Sequence, residues 1–210
     1  VFVLLTYLLA GEFEDHRLPW TMIQRWSVAL ITVLLSFLSV LIHELSHSFM
    51  ALNKGIPVRG ITLFIFGGVS QLGREPQRPI TEFMIALVGP LVSILLAAIS
   101  GVVWFLLGRG NSSVEVIVIL LAWINLSLGV FNLIPGYPLD GGRLLRASIW
   151  GLTGNYRIAS LIASAMGLIV GGCMVLSGAA LAMILGSIDG VWFAVVGAFL
   201  FFMARNSHPK

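Results

Sequence analysis

Charged residues are scarce in this sequence. They make up 10% of the 210 residues, whereas hydrophobic residues make up 58%. An ordinary soluble domain is roughly one quarter charged, so the composition excludes that class and predicts an integral membrane protein in contact with the lipid bilayer. The twelve Lys and Arg residues are spread along the chain, which argues against a nucleic-acid partner and favours loop anchors that set the membrane topology.

Cysteine and histidine are scarce too. The single cysteine, Cys173, lies in an apolar stretch, which excludes an intrachain disulfide and a thiolate metal cluster. Four histidines are present, so a site that needs several imidazoles can be built in few ways.

Long apolar runs, by contrast, are abundant. Six of them approach the roughly 20 residues that a helix needs to cross the hydrocarbon core, and they predict a membrane α-helical fold with about six transmembrane helices. The first run begins at the start of the sequence and looks truncated, and the sixth is short. The runs cover residues 1–10, 28–52, 80–107, 114–134, 158–185 and 191–203.

The fifth run contains Gly167 and Gly171, a GxxxG pattern that lets another helix approach closely. The pair predicts either a dimer seam, and hence a possible homo-oligomer, or ordinary packing within the chain. Asp189 lies between the fifth and sixth runs. We interpret it as a loop or helix-capping residue rather than a ligand.

Residues 61–76 are apolar but do not form a span. The segment is rich in β-branched and aromatic residues, with Gly67 and Gly68 in its middle and Pro76 at its end. This pattern predicts a strand or hairpin, with a plain cytoplasmic loop as the alternative. Its apolar half favours a segment that re-enters or lies against the membrane, where non-helical backbone must be buried in protein or line a wet cavity. We expect the wet cavity.

The basic residues predict the orientation. If the six runs alternate in direction, nine of the twelve basic residues lie on one side, which the positive-inside rule makes cytoplasmic. The motif HELSH, at residues 43–47, then lies near the cytoplasmic end of the second helix. The nine residues are Lys54, Arg59, Arg74, Arg78, Arg143, Arg146, Arg157, Arg205 and Lys210.

HELSH continues an apolar run without a turn signal, so one helix carries two histidines and a glutamate into the membrane. Ionisable residues at that depth are costly and usually functional. His43 and His47 are four residues apart on one helix face, so both imidazoles can bind one zinc ion. Glu44 can take a proton from a water that the metal activates. Counted from Lys54, His47 and His43 lie about 10 and 16 Å below the helix end.

A catalytic zinc site needs a third protein ligand and an open position. The other histidines, His16 and His208, fall in the external loop and in the C-terminal tail. Among the cytoplasmic acids, Glu75 lies in a polar loop, and Glu82 begins the third span, where an acid favours the helix dipole. Asp140 follows a segment whose prolines and glycine break the fourth span, and an unwound segment can turn it toward the histidines. We therefore predict that Asp140 completes a site for one Zn²⁺ per chain.

Asn132 is a polar amide near the end of the apolar fourth run. Its side chain either hydrogen-bonds a substrate carbonyl or the developing oxyanion, or it caps the broken helix. The sequence favours neither interpretation over the other.

Two motifs make the sequence resemble the site-2 protease family of intramembrane zinc metalloproteases. HELSH matches the HExxH motif of that family, and NLIPGYPLDGG, at residues 132–142, matches its second motif, an Asn and a Pro followed by Asp-Gly. Gly89 and Ser93 resemble the small-residue motif of the family's third span. The Gly67-Gly68 segment resembles its membrane-associated hairpin.

The resemblance implies that His43, His47 and Asp140 bind one zinc ion and that Glu44 is the catalytic acid and base. It implies a single polytopic protease domain over residues 1–210, with both motifs in a core at 28–150 and two further spans in 151–210. The chain is similar to the six-span branch without a PDZ-type domain, which a pair of cystathionine-β-synthase-type domains often follows.

The implied substrate is a single-span, membrane-anchored regulatory protein, cut within or near its transmembrane segment. The implied location is the plasma membrane, if the source is prokaryotic, with the active site near the cytoplasmic side. Because a helical substrate must unwind before cleavage, we expect a strand edge at residues 66–70, which includes Gly67, Gly68, Val69 and Ser70, to hold it by β-augmentation.

Two other functions stay open. Broken helices and intramembrane acids are also typical of a metal-binding transporter or channel, although the sequence contains no second copy of either motif. An inactive membrane scaffold would keep the fold without the chemistry. The presence of all four key residues argues against the scaffold.

Overall fold

The computed structural model describes residues 2–15, 20–64, 67–108 and 112–207. These residues form seven helices and one two-stranded antiparallel sheet. In chain order the elements are α1 (Phe2–Asp15), α2 (Met22–Asn53), β1 (Val58–Phe64), β2 (Gly67–Leu72), α3 (Pro79–Leu107), α4 (Ser113–Asn132), α5 (Asp140–Thr153), α6 (Tyr156–Leu185) and α7 (Ile188–Asn206).

Five of the described helices are long and apolar enough to cross a membrane, namely α2, α3, α4, α6 and α7. Each overlaps one of the predicted runs, and α1 is a shorter apolar helix. The predicted membrane α-helical fold is confirmed. Five candidate spans lie among the described residues, and the count of about six transmembrane helices stays a prediction. Helix α7 is longer than its predicted run, because the Ser187 side chain caps it and Asp189 lies in its first turn. Asp189 thus lies where an acid favours the helix dipole.

Helices α6 and α7 pack along a seam of glycines. A methyl group at Gly171 would stand 2.7 Å from the backbone nitrogen of Phe201 and 2.9 Å from the carbonyl oxygen of Gly197, and one at Gly167 would stand 2.9 Å from Ala204 Cβ. Side chains at the two α6 positions would therefore force the helices apart. The GxxxG pair packs within the chain, and the oligomeric state stays a prediction.

The predicted hairpin is confirmed. Strands β1 and β2 are antiparallel, with Val58 opposite Leu72 and Thr62 opposite Val69. The base of the hairpin rests on the two long helices that follow and precede it, because Ile56 packs in a buried cluster with Ala51 of α2 and Ile85 of α3. Both strands contact α2. Residues 65 and 66, the latter part of the predicted strand edge, lie outside the described residues.

The fourth span is broken as predicted. Helix α4 ends at Asn132, and α5 begins at Asp140. The backbone N–H of Tyr137, within the break, donates a hydrogen bond to the carbonyl oxygen of Ala163 on α6 at 3.1 Å. Methyl groups at Gly141 or Gly142 would overlap backbone atoms of the break. The glycine pair therefore lets α5 start directly against the broken segment.

Helix α5 was not predicted from the sequence, and it changes how Asp140 is held. We expected an unwound segment to present this carboxylate, but Asp140 is the first residue of a 14-residue helix. The break before Asp140 redirects the chain, and α5 then fixes the aspartate. The contacts of α5 with α3 and α6 consequently determine where the Asp140 side chain lies.

Candidate metal centre

Three predicted ligands from two distant segments lie close together between the packed helices. His43 Nε2 lies 3.2 Å from His47 Nε2 and 3.2 Å from Asp140 Oδ2. His47 Nε2 lies 3.1 Å from the same Asp140 oxygen. His43 is 2% exposed, His47 is 3% exposed and Asp140 is 9% exposed. The three atoms thus form a nearly equilateral, buried triangle beside the C-terminal part of α2.

The size of the triangle fits zinc. An ion 2.0–2.1 Å from each ligand atom at ideal tetrahedral angles requires ligand atoms about 3.3–3.4 Å apart. The observed separations of 3.1–3.2 Å are close to that value. Two imidazoles and one carboxylate are also the donor types that a catalytic zinc site uses, with a fourth position left for water or substrate.

Hydrogen bonds behind the rings turn both Nε2 atoms toward the triangle. His47 Nδ1 lies 2.6 Å from the carbonyl oxygen of Ile85, which can only accept, so the neutral ring carries its proton on Nδ1 and presents the lone pair of Nε2. His43 Nδ1 lies 2.9 Å from Ser93 Oγ. Such outer contacts fix the tautomer and orientation of metal-binding histidines. Both come from α3.

The lone pairs that point into the triangle favour a bound cation. With the His47 proton on Nδ1, its Nε2 faces an oxygen of Asp140 and the Nε2 of His43 at hydrogen-bond distance. A single proton can bridge one pair of acceptors, but one metal ion satisfies all three together. The chemistry of the donor set therefore fits a divalent metal, and zinc in particular.

Gly89 of α3 keeps the coordinating side of the histidines open. A methyl group there would stand 2.9 Å from His43 Nε2 and 2.5 Å from His47 Cε1, and closer still to His47 Nε2. It would occupy space next to the two Nε2 atoms of the triangle. The small residue that the sequence analysis noted in the third span thus has a steric role at this site.

The other predicted site residues are less closely tied to the triangle. Glu44 follows His43 on α2 and is buried, with 8% of its surface exposed. Asn132 is the last residue of α4, and its Nδ2 donates to the carbonyl oxygen of Leu128 at 2.9 Å. Residues Gly67, Gly68, Val69 and Ser70 lie in β2. The roles assigned to all of these residues stay predictions.

Glu82 has a different environment from the one predicted. It lies in the first turn of α3, but it is fully buried and its Oε1 accepts hydrogen bonds from Nε and Nη2 of Arg146, the former at 2.8 Å. Burial alone lowers the pKa of the Arg146 guanidinium, but the carboxylate outweighs it and holds that pKa above its usual value. Glu82 is thus one half of a buried ion pair, and the helix dipole alone does not explain it.

Comparison with known proteins matches the chain to one family. A family model described as Peptidase family M50 matches residues 30–111 and 109–178. A Synechocystis protein provisionally named as a zinc metalloprotease is 42% identical over 192 residues, which cover 88% of this chain and 50% of that protein. A zinc metalloprotease of Methanocaldococcus jannaschii is 36% identical over 151 residues, covering 69% of this chain and 42% of that protein.

A solved structure also matches this chain. The site-2 protease from Methanocaldococcus jannaschii superposes with a TM-score of 0.66 at 29% sequence identity, covering 100% of this chain and 88% of that one. The chain spans about half the length of the curated relatives that it matches.

Proposed function

Because this chain belongs to peptidase family M50, the family of the site-2 proteases, we propose that it is an intramembrane zinc metalloprotease. It hydrolyses peptide bonds within or near the transmembrane segment of membrane-anchored regulatory proteins. The observation that carries the proposal is the triangle of His43, His47 and Asp140, because it is buried among apolar helices and has the dimensions of a zinc site.

The residues of the site divide into metal ligands, contacts that orient those ligands, and a proton acceptor. His43, His47 and Asp140 would hold the zinc ion, and Ser93 and the Ile85 carbonyl keep the two rings in place. Bound zinc supplies Lewis-acid polarisation of a peptide carbonyl and makes water more acidic. The Glu44 carboxylate accepts a proton from the attacking water and returns it to the leaving amine nitrogen.

The surroundings of the site suit a peptide that has left its helix. Strand β2 lies next to α2, and in the two-stranded sheet of the described residues only one of its edges is paired. An extended substrate can add to the other edge through backbone hydrogen bonds. A single-span membrane protein whose helix unwinds locally is therefore the proposed substrate.

The proposed location of the site is near the cytoplasmic face. The end of α2, the start of α3 and helix α5 meet at one end of the bundle, where Arg74 donates to the Gly55 carbonyl and Arg146 pairs with Glu82. The segments that meet there contain Lys54, Arg74, Arg78, Arg143 and Arg146. A surplus of basic residues is typical of the cytoplasmic side.

The test is cleavage by purified protein in proteoliposomes. A panel of single-span membrane proteins is incubated with the wild type, with Glu44→Gln, and with Glu75→Gln as a matched change at an exposed acid outside the triangle. We expect a substrate that the wild type and Glu75→Gln cut and that Glu44→Gln leaves intact while retaining its zinc. A cut that persists in Glu44→Gln would refute the mechanism, and zinc flux that does not depend on Glu44 would favour a transporter.

A further inference from the structure

A largely buried ion pair joins two helices and is not part of the metal centre. Glu82 is 0% exposed, and its Oε1 accepts two hydrogen bonds from the guanidinium of Arg146. The other oxygen, Oε2, is buried without a hydrogen-bond partner among the described residues. The pair joins α3 to α5, two helices that are far apart in the sequence.

Both partners are connected to the metal site through short stretches of rigid helix. Glu82 lies about one turn before Ile85, whose carbonyl oxygen accepts the proton of His47 Nδ1. Arg146 lies six residues after Asp140 on α5. A bond between Glu82 and Arg146 therefore fixes the helix that supports the histidines relative to the helix that carries the aspartate.

The guanidinium of Arg146 also contacts the two segments that flank α5. It lies 5.7 Å from the ring centre of Tyr137, in the break before Asp140, and 5.2 Å from that of Tyr156, at the start of α6. Cation–π contacts of this kind add to the ion pair. One side chain thus links α3, the break, α5 and the start of α6.

Stability alone is a poor reason for this arrangement. Taking two charges out of water carries a desolvation cost, and a well-packed apolar pair is often as stable or more stable. Here one carboxylate oxygen also has no hydrogen-bond partner in the part of the chain that the structure describes, which adds to that cost. What the charged pair provides is direction, because two N–H groups aimed at one oxygen restrict rotation and sliding of α5 in a way that apolar contacts do not.

We propose that Glu82 and Arg146 are positioning residues that hold Asp140 at coordinating distance from His43 and His47. The proposal rests on the zinc site of the proposed function. Without the pair, α5 still packs on α3 but no longer in one fixed register, so the third ligand is poorly placed. Loss of an outer contact of a metal site typically weakens metal binding about 10–100-fold, and we expect a change of that size.

The experiment compares zinc affinity with folding in the same purified protein. The test variant replaces both partners, Glu82→Met with Arg146→Met, so that no unpaired charge is left buried. Arg146→Lys keeps the charge but loses the two-point geometry. Tyr156→Phe is the control, because it removes only the hydroxyl that donates to Glu75 at the same end of the bundle and keeps the ring beside Arg146.

Three quantities are measured in detergent: zinc affinity by competition with a chromophoric chelator, the visible spectrum after Co²⁺ substitution, and thermal unfolding of the metal-free protein. We expect the double Met variant to unfold no earlier than the wild type, to bind zinc about 10–100-fold more weakly and to give an altered Co²⁺ spectrum. The zinc affinity of Arg146→Lys should lie between those of the double Met variant and the wild type. Tyr156→Phe should match the wild type in all three quantities.

The proposal is overturned if the double Met variant is folded and has wild-type zinc affinity and a wild-type Co²⁺ spectrum. If that variant does not fold, Arg146→Lys decides, because wild-type zinc affinity in a folded Arg146→Lys protein also overturns it. A wild type that binds no zinc contradicts the proposed function itself, so the two failures are distinguishable.

Discussion

Replacing Gly89 by alanine should weaken metal binding while leaving the helix intact. The added methyl carbon would stand 2.5 Å from His47 Cε1 and 2.9 Å from His43 Nε2, whereas nonbonded carbon contacts are favourable at about 3.5–4.0 Å. The His47 ring must therefore move by roughly 1 Å. Metal–ligand distances tolerate only about 0.2 Å, so at least one ligand is lost.

The loss can be expressed as an affinity. Perturbing an outer contact of a metal site costs about 10–100-fold, and displacing a ligand atom should reach at least the upper value. A 100-fold loss corresponds to about 2.7 kcal/mol. The backbone change has the opposite sign, because alanine favours a helix interior by up to about 1 kcal/mol over glycine. Crowding the buried rings costs about 1–3 kcal/mol in the metal-free chain, so the chain should still fold, and the loss of metal binding should exceed any change in unfolding temperature.

Gly101→Ala is the matched control. Gly101 lies on the same helix, and a methyl group there would meet no other described atom within 4 Å. Both variants and the wild type are purified in detergent, loaded with zinc and titrated with a chromophoric chelator. Wild-type affinity in Gly89→Ala would refute the steric argument. An equal loss in Gly101→Ala would attribute the effect to the helix backbone instead.

Two further predictions concern the packing around the site. Ser93→Ala removes the hydroxyl at 2.9 Å from His43 Nδ1, so zinc affinity should fall about 10-fold or more; an unchanged affinity in chelator competition would show that Ser93 does not orient the ring. Gly171→Val should lower the unfolding temperature, because its side chain meets the α7 backbone at 2.7 Å, whereas Gly172→Val, whose nearest contact is Phe201 Cδ2 at 4.0 Å, should change it little. Equal unfolding temperatures for the two variants would contradict the packing described for α6 and α7.

The parts of the site that the sequence predicts are those with a local signal. His43 and His47 share a helix face because of their spacing, and the prolines after Asn132 break α4. Asp140 could be selected because few other acids or histidines were available on that side. These inferences need only helix geometry, topology and a count of ligand types.

The parts that the sequence did not predict depend on contacts between distant segments. Ser93 is fifty residues from His43, and the Ile85 partner of His47 is a backbone carbonyl, which leaves no trace in the sequence. Glu82 fits a helix-dipole role until packing places Arg146, 64 residues away, beside it. Helix α5 was missed because an Asp-Gly-Gly opening is also typical of a turn.

The ligand set itself is tested most directly by counting zinc. Elemental analysis of protein purified without chelators compares the wild type with Asp140→Ala and with Asp189→Ala, which removes an acid from the first turn of α7. We predict about one zinc per chain in the wild type and in Asp189→Ala, and clear loss in Asp140→Ala. A metal-free wild type, or full zinc content in Asp140→Ala, would contradict the site described here.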